Sequence, residues 1–495
     1  MQMKDTLRLL LILAAGIFFR LYNLLFFHYM TADECVYTQA VFAMTKGCVP
    51  YKDIFIAHPL LYFLIEYPFI YFSPSLLSAR LVSILLSVGT MLLVFHTANN
   101  LYSRSTALLA LAFFALSPYV LYYNKLAVVE NAVLFFISLT LYFFFRYCKT
   151  GGEKNIFACG FFSGLAFLSK YSALLVVMVI VFFVALKGFK KLMTFTASAL
   201  IMPSIFLILL VLFNVHQYWF IQTVIFQTIR FDFPVSIKLF EFGVFFALSL
   251  PLFAATTPIL FVRKEREDII LILLYGIPFM FILLGKVLIN HYFLMLAPIL
   301  CIIAAKSFNQ YINLKRTKVK KMMTLILLVF TIHFLLSSNI FLGSPSSESA
   351  VRAKMEIANY IKSITTDNDK IWTTEADIAF FAERLIVTPN STIWKYQGFY
   401  EDVWGFIGTS HVGEFAGYSG GLITINEIQQ ALESEKPKVI VIMKSKITDI
   451  LIWNGINTPK YRENGLKDYI LTKYCLNFSL YDMDVYVIKT GKYNG

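Results

Sequence analysis

Five groups of polar residues stand in stretches that are otherwise apolar or aromatic, and each could do chemistry. The first is Thr31-Ala32-Asp33-Glu34. Thr followed three residues later by Glu forms a capping box, so a helix should open here. A good helix start accounts for Glu34 but leaves Asp33 over. Asp33 would lie in the first turn, where free N–H groups and the helix dipole favour an ionised carboxylate. Such a carboxylate can take the proton of an attacking hydroxyl. The second group is Ala57-His58-Pro59-Leu60, where His58 could carry charge near a phosphate or hydrogen-bond to one. The third follows Ser117-Pro118 and holds Lys125 and Glu130. Glu130 should start a helix at membrane depth, where ionisable groups are costly and often functional; a plain dipole-favoured N-terminal charge is the alternative. The fourth is Lys170, between Ser169 and Tyr171, which could snorkel or meet an anionic ligand. The fifth runs from Lys286 to His291-Tyr292, where the tyrosine is either an interfacial anchor or a hydrogen-bond donor to phosphate.

A phosphate leaving group needs its negative charge stabilised and needs no strong general acid. An acceptor hydroxyl needs a base. Asp33, Glu34 and Glu130 are therefore the catalytic candidates. His58, Lys125, Lys170, His291 and Tyr292 are the candidates for holding a donor phosphate. No cofactor is required. A divalent metal bridging Asp33 and the phosphate is compatible with the chemistry, but no tight ligand spacing demands it.

These residues make one site only if the elements between them bring them to one face of a membrane. Of the 495 residues, 58% are hydrophobic and 15% charged, against roughly 25% charged in soluble domains. The apolar residues fall in blocks such as Leu7–Phe27, Ala107–Leu121, Val128–Phe145 and Met322–Leu336. With their flanks these reach the ~18 residues that cross ~30 Å of hydrocarbon, and only helices satisfy their own backbone there. The net charge of +13 does not point to nucleic acid, because the basic residues cluster in short loops between apolar blocks, where orientation explains them. Leu7–Phe27 is too long for a signal-peptide core and has no cleavage site close behind it, so it reads as a first membrane helix.

Lys4 and Arg8 place the N-terminus on the cytoplasmic side. Residues 28–78 then form a large outer loop with two amphipathic helices joined near Gly47–Pro50. Ile156–Leu186 spans about 31 residues, too long for one crossing. Lys154 precedes it, and Lys187, Lys190 and Lys191 follow it. It should be a hairpin of two short helices with Lys170 at the outer turn, and Gly160 and Gly164 should allow close helix packing. The full scheme has about 11 helices and an outer C-terminus. Residues 1–342 make the transmembrane catalytic domain. Ser344-Pro345-Ser346-Ser347 reads as a linker, and 343–495 as an extracytoplasmic α/β domain. Within that domain, Ala353–Ser363 has helical periodicity, and Val439–Met443 and Val485–Lys489 look like strands. Asn390-Ser391-Thr392 and Asn477-Phe478-Ser479 are glycosylation sequons. Cys35 and Cys48 share the outer loop, where two small loop residues are the simpler reading than a disulfide.

Taken in order, the segments resemble family 39 glycosyltransferases of the GT-C superfamily, which includes dolichyl-phosphate-mannose protein mannosyltransferases and lipid A aminoarabinose transferases. The likeness rests on Arg20-Leu21-Tyr22, Ala32-Asp33-Glu34, Gly47 to Asp53, His58-Pro59-Leu60, Ala79-Arg80-Leu81, Leu116-Ser117-Pro118, Gly160 to Lys170, and His291-Tyr292-Phe293 through Pro298. It implies a GT-C membrane fold and an inverting transfer from a polyprenyl-phosphate sugar, with mannose as one such sugar, to a protein, lipid or glycan acceptor. It implies that Asp33 is the catalytic carboxylate and that Lys170 and Tyr292 lie near the carrier phosphate. Many relatives carry a lysine and paired prolines where this chain has His58-Pro59-Leu60. A lipid-linked sugar flippase is the rival class, but transporters place their sites at mid-membrane between internal repeats. The candidates here gather at one interface, and no repeat is visible.

Overall fold

The computed structural model describes residues 2–26, 29–229, 232–257, 264–312, 345–373, 375–387, 425–443 and 466–489. The expected helix at 322–341, the basic cluster before it and the sequon at Asn390 lie outside the described residues.

The apolar blocks are helices. α1 covers Gln2–Phe26, α4 Leu76–Leu101, α7 Glu130–Thr150, α10 Phe189–Leu212 and α13 Val235–Thr256. Among the described residues, five helical stretches are long and apolar enough to cross a bilayer: α4, α7, α10, α13 and Asn290–Gln310. The last starts as a 3₁₀ turn, Asn290–Leu296, and continues as α15, Ala297–Ile312. A sixth span appears if α5 (Arg104–Leu116) and α6 (Pro118–Asn124) are one crossing bent by 59°. The bend falls at Ser117-Pro118, where proline pushes the preceding residue out of the helical region; Ser117 has ψ 123°. The protein is thus a helical integral membrane protein, although the described spans do not reach about 11.

The stretch 28–78 holds two helices where two were expected, α2 (Ala32–Thr45) and α3 (Leu61–Phe72), packed on each other, with α3 on α4. α2 is not the amphipathic surface helix expected, because every residue from Glu34 to Met44 is buried. Just past α2, Gly47 adopts φ +90°, a conformation open to glycine because it has no β-carbon. Cys35 and Cys48 are both thiols.

The 156–186 hairpin is α8 (Glu153–Ser169), a 3₁₀ turn at Tyr171–Ala173 and α9 (Leu174–Ala185). Its arms pack mainly on other helices, α8 between α7 and α10, and α9 on α14 (Arg266–Leu283) and α10. A β-carbon on Gly160 would lie 2.2 Å from the Phe195 carbonyl oxygen, and one on Gly164 2.2 Å from that of Ala199. Glycine at these positions is what lets α8 and α10 touch along their backbones.

The C-terminal region is α/β. A helix runs from Pro345 to Ile364 (α16), so it begins inside the stretch read as a linker. A second short helix, α17, covers Ala376–Ala382. β1 (Trp372–Thr373), β2 (Val439–Met443), β3 (Tyr474–Leu480) and β4 (Met483–Ile488) form one sheet in the order β1-β2-β4-β3. β1 and β2 are parallel and the other pairs antiparallel. The apolar β2 is the expected buried strand.

Candidate active site

Four element ends converge: the N-terminus of α2, the N-terminus of α7, the turn after α8 and the 3₁₀ turn before α15. Thr31 caps α2 by accepting from the Glu34 N–H at 3.4 Å, which places Asp33 in the first turn, as expected. Glu130 opens α7. Lys170 leaves α8 in an extended conformation, φ −163° and ψ 137°, which turns its side chain out of the helix.

Their side chains form a row of ammonium, carboxylate, imidazole and carboxylate. Lys170 Nζ donates to Glu130 Oε1. Glu130 Oε1 is 3.4 Å from His291 Nε2, which is 3.8 Å from Asp33 Oδ2. Lys170 Nζ also sits 4.4 Å above the Tyr292 ring, a cation–π contact. The row is buried at its inner end and open at Asp33: the side chains of Glu130, Lys170 and His291 are 5%, 10% and 11% exposed, that of Asp33 32%. The His291 ring packs edge-on against Tyr123. The backbone beneath is fixed by Tyr119, whose hydroxyl donates to the Asn290 carbonyl at 2.7 Å, and by Glu241, which accepts from the Asn290 N–H at 3.0 Å.

His58 lies beside the row, within electrostatic reach of Glu130, and Glu34 and Lys125 belong to a second cluster. His58 shares a 2.9 Å hydrogen bond with the Tyr37 hydroxyl one turn along α2 from Asp33, and its carbonyl accepts from Tyr51 at 2.9 Å. Glu34 does not complete the capping box. Its carboxylate accepts two 2.7 Å bonds from Arg80 and one of 2.8 Å from the Ala127 N–H, all fully buried. Lys125 belongs to this second cluster, within electrostatic reach of Arg80 and Glu34 and 4.9 Å above the Tyr122 ring. Lys286 meets neither cluster through its side chain; its carbonyl accepts from the Phe233 N–H.

Two arginines that composition alone left unassigned organise this end of the bundle. Arg80 ties α4 to α2. Arg20 is fully buried and donates to Ser87, Asn124, Gly16 and Ala115, joining α1, α4, α5 and α6. A buried guanidinium in an apolar run must have partners; that was the available signal. Apart from Gly16, four positions off, the partners lie 46 to 104 positions away, beyond any local pattern. Among the described residues, no three His, Cys, Asp or Glu side chains group to hold a metal ion.

The same arrangement of a helical bundle followed by a small α/β region occurs in solved structures. Over 98% of its length the chain superposes on 98% of ArnT from Cupriavidus metallidurans bound to undecaprenyl phosphate, with TM-score 0.68 at 11% identity. It also covers 70% of an Archaeoglobus fulgidus oligosaccharyltransferase with 92% of its own length, TM-score 0.58 and 12% identity. At such identities the shared property is the fold. Residues 57–219 match the family model of dolichyl-phosphate-mannose-protein mannosyltransferases, so the resemblance read from the motifs holds over this stretch. Comparison with curated proteins gives no match.

Proposed function

We propose that the protein transfers a sugar from a polyprenyl-phosphate donor to an acceptor hydroxyl, with inversion, on the outer face of the membrane. The observation that carries this reading is the row Lys170–Glu130–His291–Asp33, with its accessible carboxylate at one end and its lysine and histidine set deeper. Asp33 takes the proton of the acceptor hydroxyl as the new oxygen–carbon bond forms at the anomeric carbon. The bond from that carbon to the phosphate oxygen breaks on the opposite side, and polyprenyl phosphate leaves. Lys170, His291 and Tyr292 receive its charge, with His58 nearby; Glu130 holds Lys170 in place. The Cupriavidus protein is bound to undecaprenyl phosphate, and an Archaeoglobus relative to a dolichol-phosphate. Both support a lipid phosphate as donor here.

The matched family model makes mannose the first sugar to test. The charge pattern supports a cytoplasmic N-terminus and an extracytoplasmic domain over 343–495, which we propose helps to select the acceptor. An Archaeoglobus oligosaccharyltransferase is described with zinc; a divalent ion between Asp33 and the donor phosphate would add to the stabilisation of the leaving charge, and the steps proposed here are assigned to side chains.

The test is sugar release from radiolabelled dolichyl-phosphate mannose, and from other carrier sugars, by the protein in membranes. A base of this kind contributes ~10²–10⁴-fold, so Asp33→Asn should lose that much turnover while still binding the carrier. Absence of turnover by the wild type with every carrier and a cell-extract acceptor pool would shift the reading to a lipid-linked sugar transporter.

A further inference from the structure

The row of charges occupies one end of α7. The opposite end of that helix, ~30 Å away at 1.5 Å per residue, borders a cavity of about 180 Å³ between the ends of α4, α7, α9 and α14. Three cations line it, Lys149, Lys187 and Arg266, against one carboxylate, Glu267. Lys149 Nζ donates to the Asn100 carbonyl at 2.9 Å, which turns the lysine toward the cavity. The Asn100 side-chain nitrogen is buried and, among the described residues, has no hydrogen-bond partner. It is a spare donor on a wall that already carries an excess of positive charge.

Cations at this face are expected from orientation alone and are usually just solvated. A concave pocket that gathers three of them beside a spare amide donor is not explained that way. The other wall is apolar, formed by Leu101, Phe145 and Ile270. Met178 and Phe182 on α9 and Leu186 just past its end recur every fourth residue and are exposed, and Leu186 adjoins Lys187 in the chain. A free anion would gain nothing from that stripe, whereas an acyl chain would lie along it. Basic pockets between membrane helices on the cytoplasmic side are suited to anionic headgroups.

We propose that this cavity binds the phosphate-bearing headgroup of an anionic phospholipid, with Lys149, Lys187, Arg266 and the Asn100 amide around the phosphate and an acyl chain along Met178, Phe182 and Leu186. The inference does not rest on the transferase reading.

Cys148 lines the same cavity and is exposed, which makes it a built-in reporter. The full chain is placed in nanodiscs of phosphatidylcholine, with or without phosphatidylglycerol, and maleimide labelling of Cys148 is followed by peptide mass spectrometry. Phosphatidylglycerol should slow labelling several-fold in the wild type. In the triple variant Lys149→Gln, Lys187→Gln, Arg266→Gln, it should slow labelling only by the smaller factor that a negative surface imposes on any thiol. If that variant fails to fold, Arg266→Gln alone should lose part of the protection. Equal slowing in wild type and variant, or none in either, overturns the proposal. Equal protection by inorganic phosphate in phosphatidylcholine discs overturns the lipid assignment in favour of a free-phosphate site.

Discussion

Asp33 stands at the open end of a set of charges whose inner members satisfy one another. Lys170 and Glu130 are a nearly buried pair, and removing one partner of such a pair leaves an uncompensated charge at a cost of ~3–5 kcal/mol. Lys170→Gln alone should therefore lower the thermal midpoint and the folded yield. Lys170→Gln combined with Glu130→Gln should recover most of that stability, because no buried charge is then orphaned. Donor affinity should not recover with it, since the cation proposed to meet the phosphate is still missing. Parallel thermal unfolding and donor KM measurements separate the two effects; a double variant that regains both would make Lys170 a structural residue only. The place of Asp33 in the first turn of a helix was legible in the sequence, because Thr31 reads as a helix cap. The partner of Glu34 was not legible: Arg80 is 46 positions on, and the capping box offered a sufficient local reason for the glutamate.

Charge and length rules read the elements well where a helix has to cross the membrane alone. Lysines on both sides of 156–186 forced a turn in the middle of that run, and the structure has it at Lys170. Those rules say nothing about irregular backbone that tertiary contacts hold. The π-helical turn Ile221–Ile225 is pinned by Gln222, which donates to the Tyr51 carbonyl at 2.7 Å and accepts from the Ile56 N–H at 3.0 Å; no local pattern announces it. The α8–α10 seam gives a sharper test. Gly164→Val would drive a branched side chain into the Ala199 carbonyl and should abolish most folded protein in detergent, by size-exclusion yield. Gly276→Ala, in α14 with open space at that position, should be neutral or stabilising by up to ~1 kcal/mol. Similar losses in both would mean that the close approach is not what the glycine provides. In the C-terminal region, Asp369 accepts from the Thr366 N–H at 2.7 Å and from Lys438 at 2.8 Å, tying the turn before β1 to the residue before β2. Lys438 and the Thr366 N–H hold its carboxyl down at about 2. A depressed carboxyl stabilises above its unfolded value and loses that contribution as the pH falls through the folded one. The midpoint gap between wild type and Asp369→Asn should therefore be full at pH 5 and close between about 4 and 2. A gap that stays constant over that range would show that the charge contributes nothing.

At the scale of the whole molecule, the C-terminal α/β region grips the helix that carries the proposed base. α17 packs on α2, with the Phe380 ring edge-on to Phe42 at 6.2 Å and Gln39 donating to the Arg384 carbonyl at 3.1 Å. Behind it, Lys354 bridges Glu375 and Asp377 at 2.8 and 2.7 Å. Burial opposes its charge, but the two carboxylates outweigh this and hold the ammonium above its ordinary value. Being raised, that contribution is full below the ordinary lysine range and is lost only at more alkaline pH, so it should be constant across the neutral range. None of this contact could be read from the sequence, because its two sides are more than 300 positions apart and α17 looks like any short apolar helix. Its consequence is a division of labour. Asp33 rides on α2, whereas Lys170 and Tyr292 are carried by the turns after α8 and before α15. Phe380→Ala removes the ring that seats α17 on α2, a truncation that in a well-packed core costs ~3–5 kcal/mol. With α2 less firmly held, the base should lose its alignment while the phosphate groups keep theirs. Turnover in membranes should then fall severalfold with donor KM almost unchanged. A rise in donor KM at unchanged kcat would instead tie the C-terminal region to donor binding and undo the assignment of α2 as the element it positions.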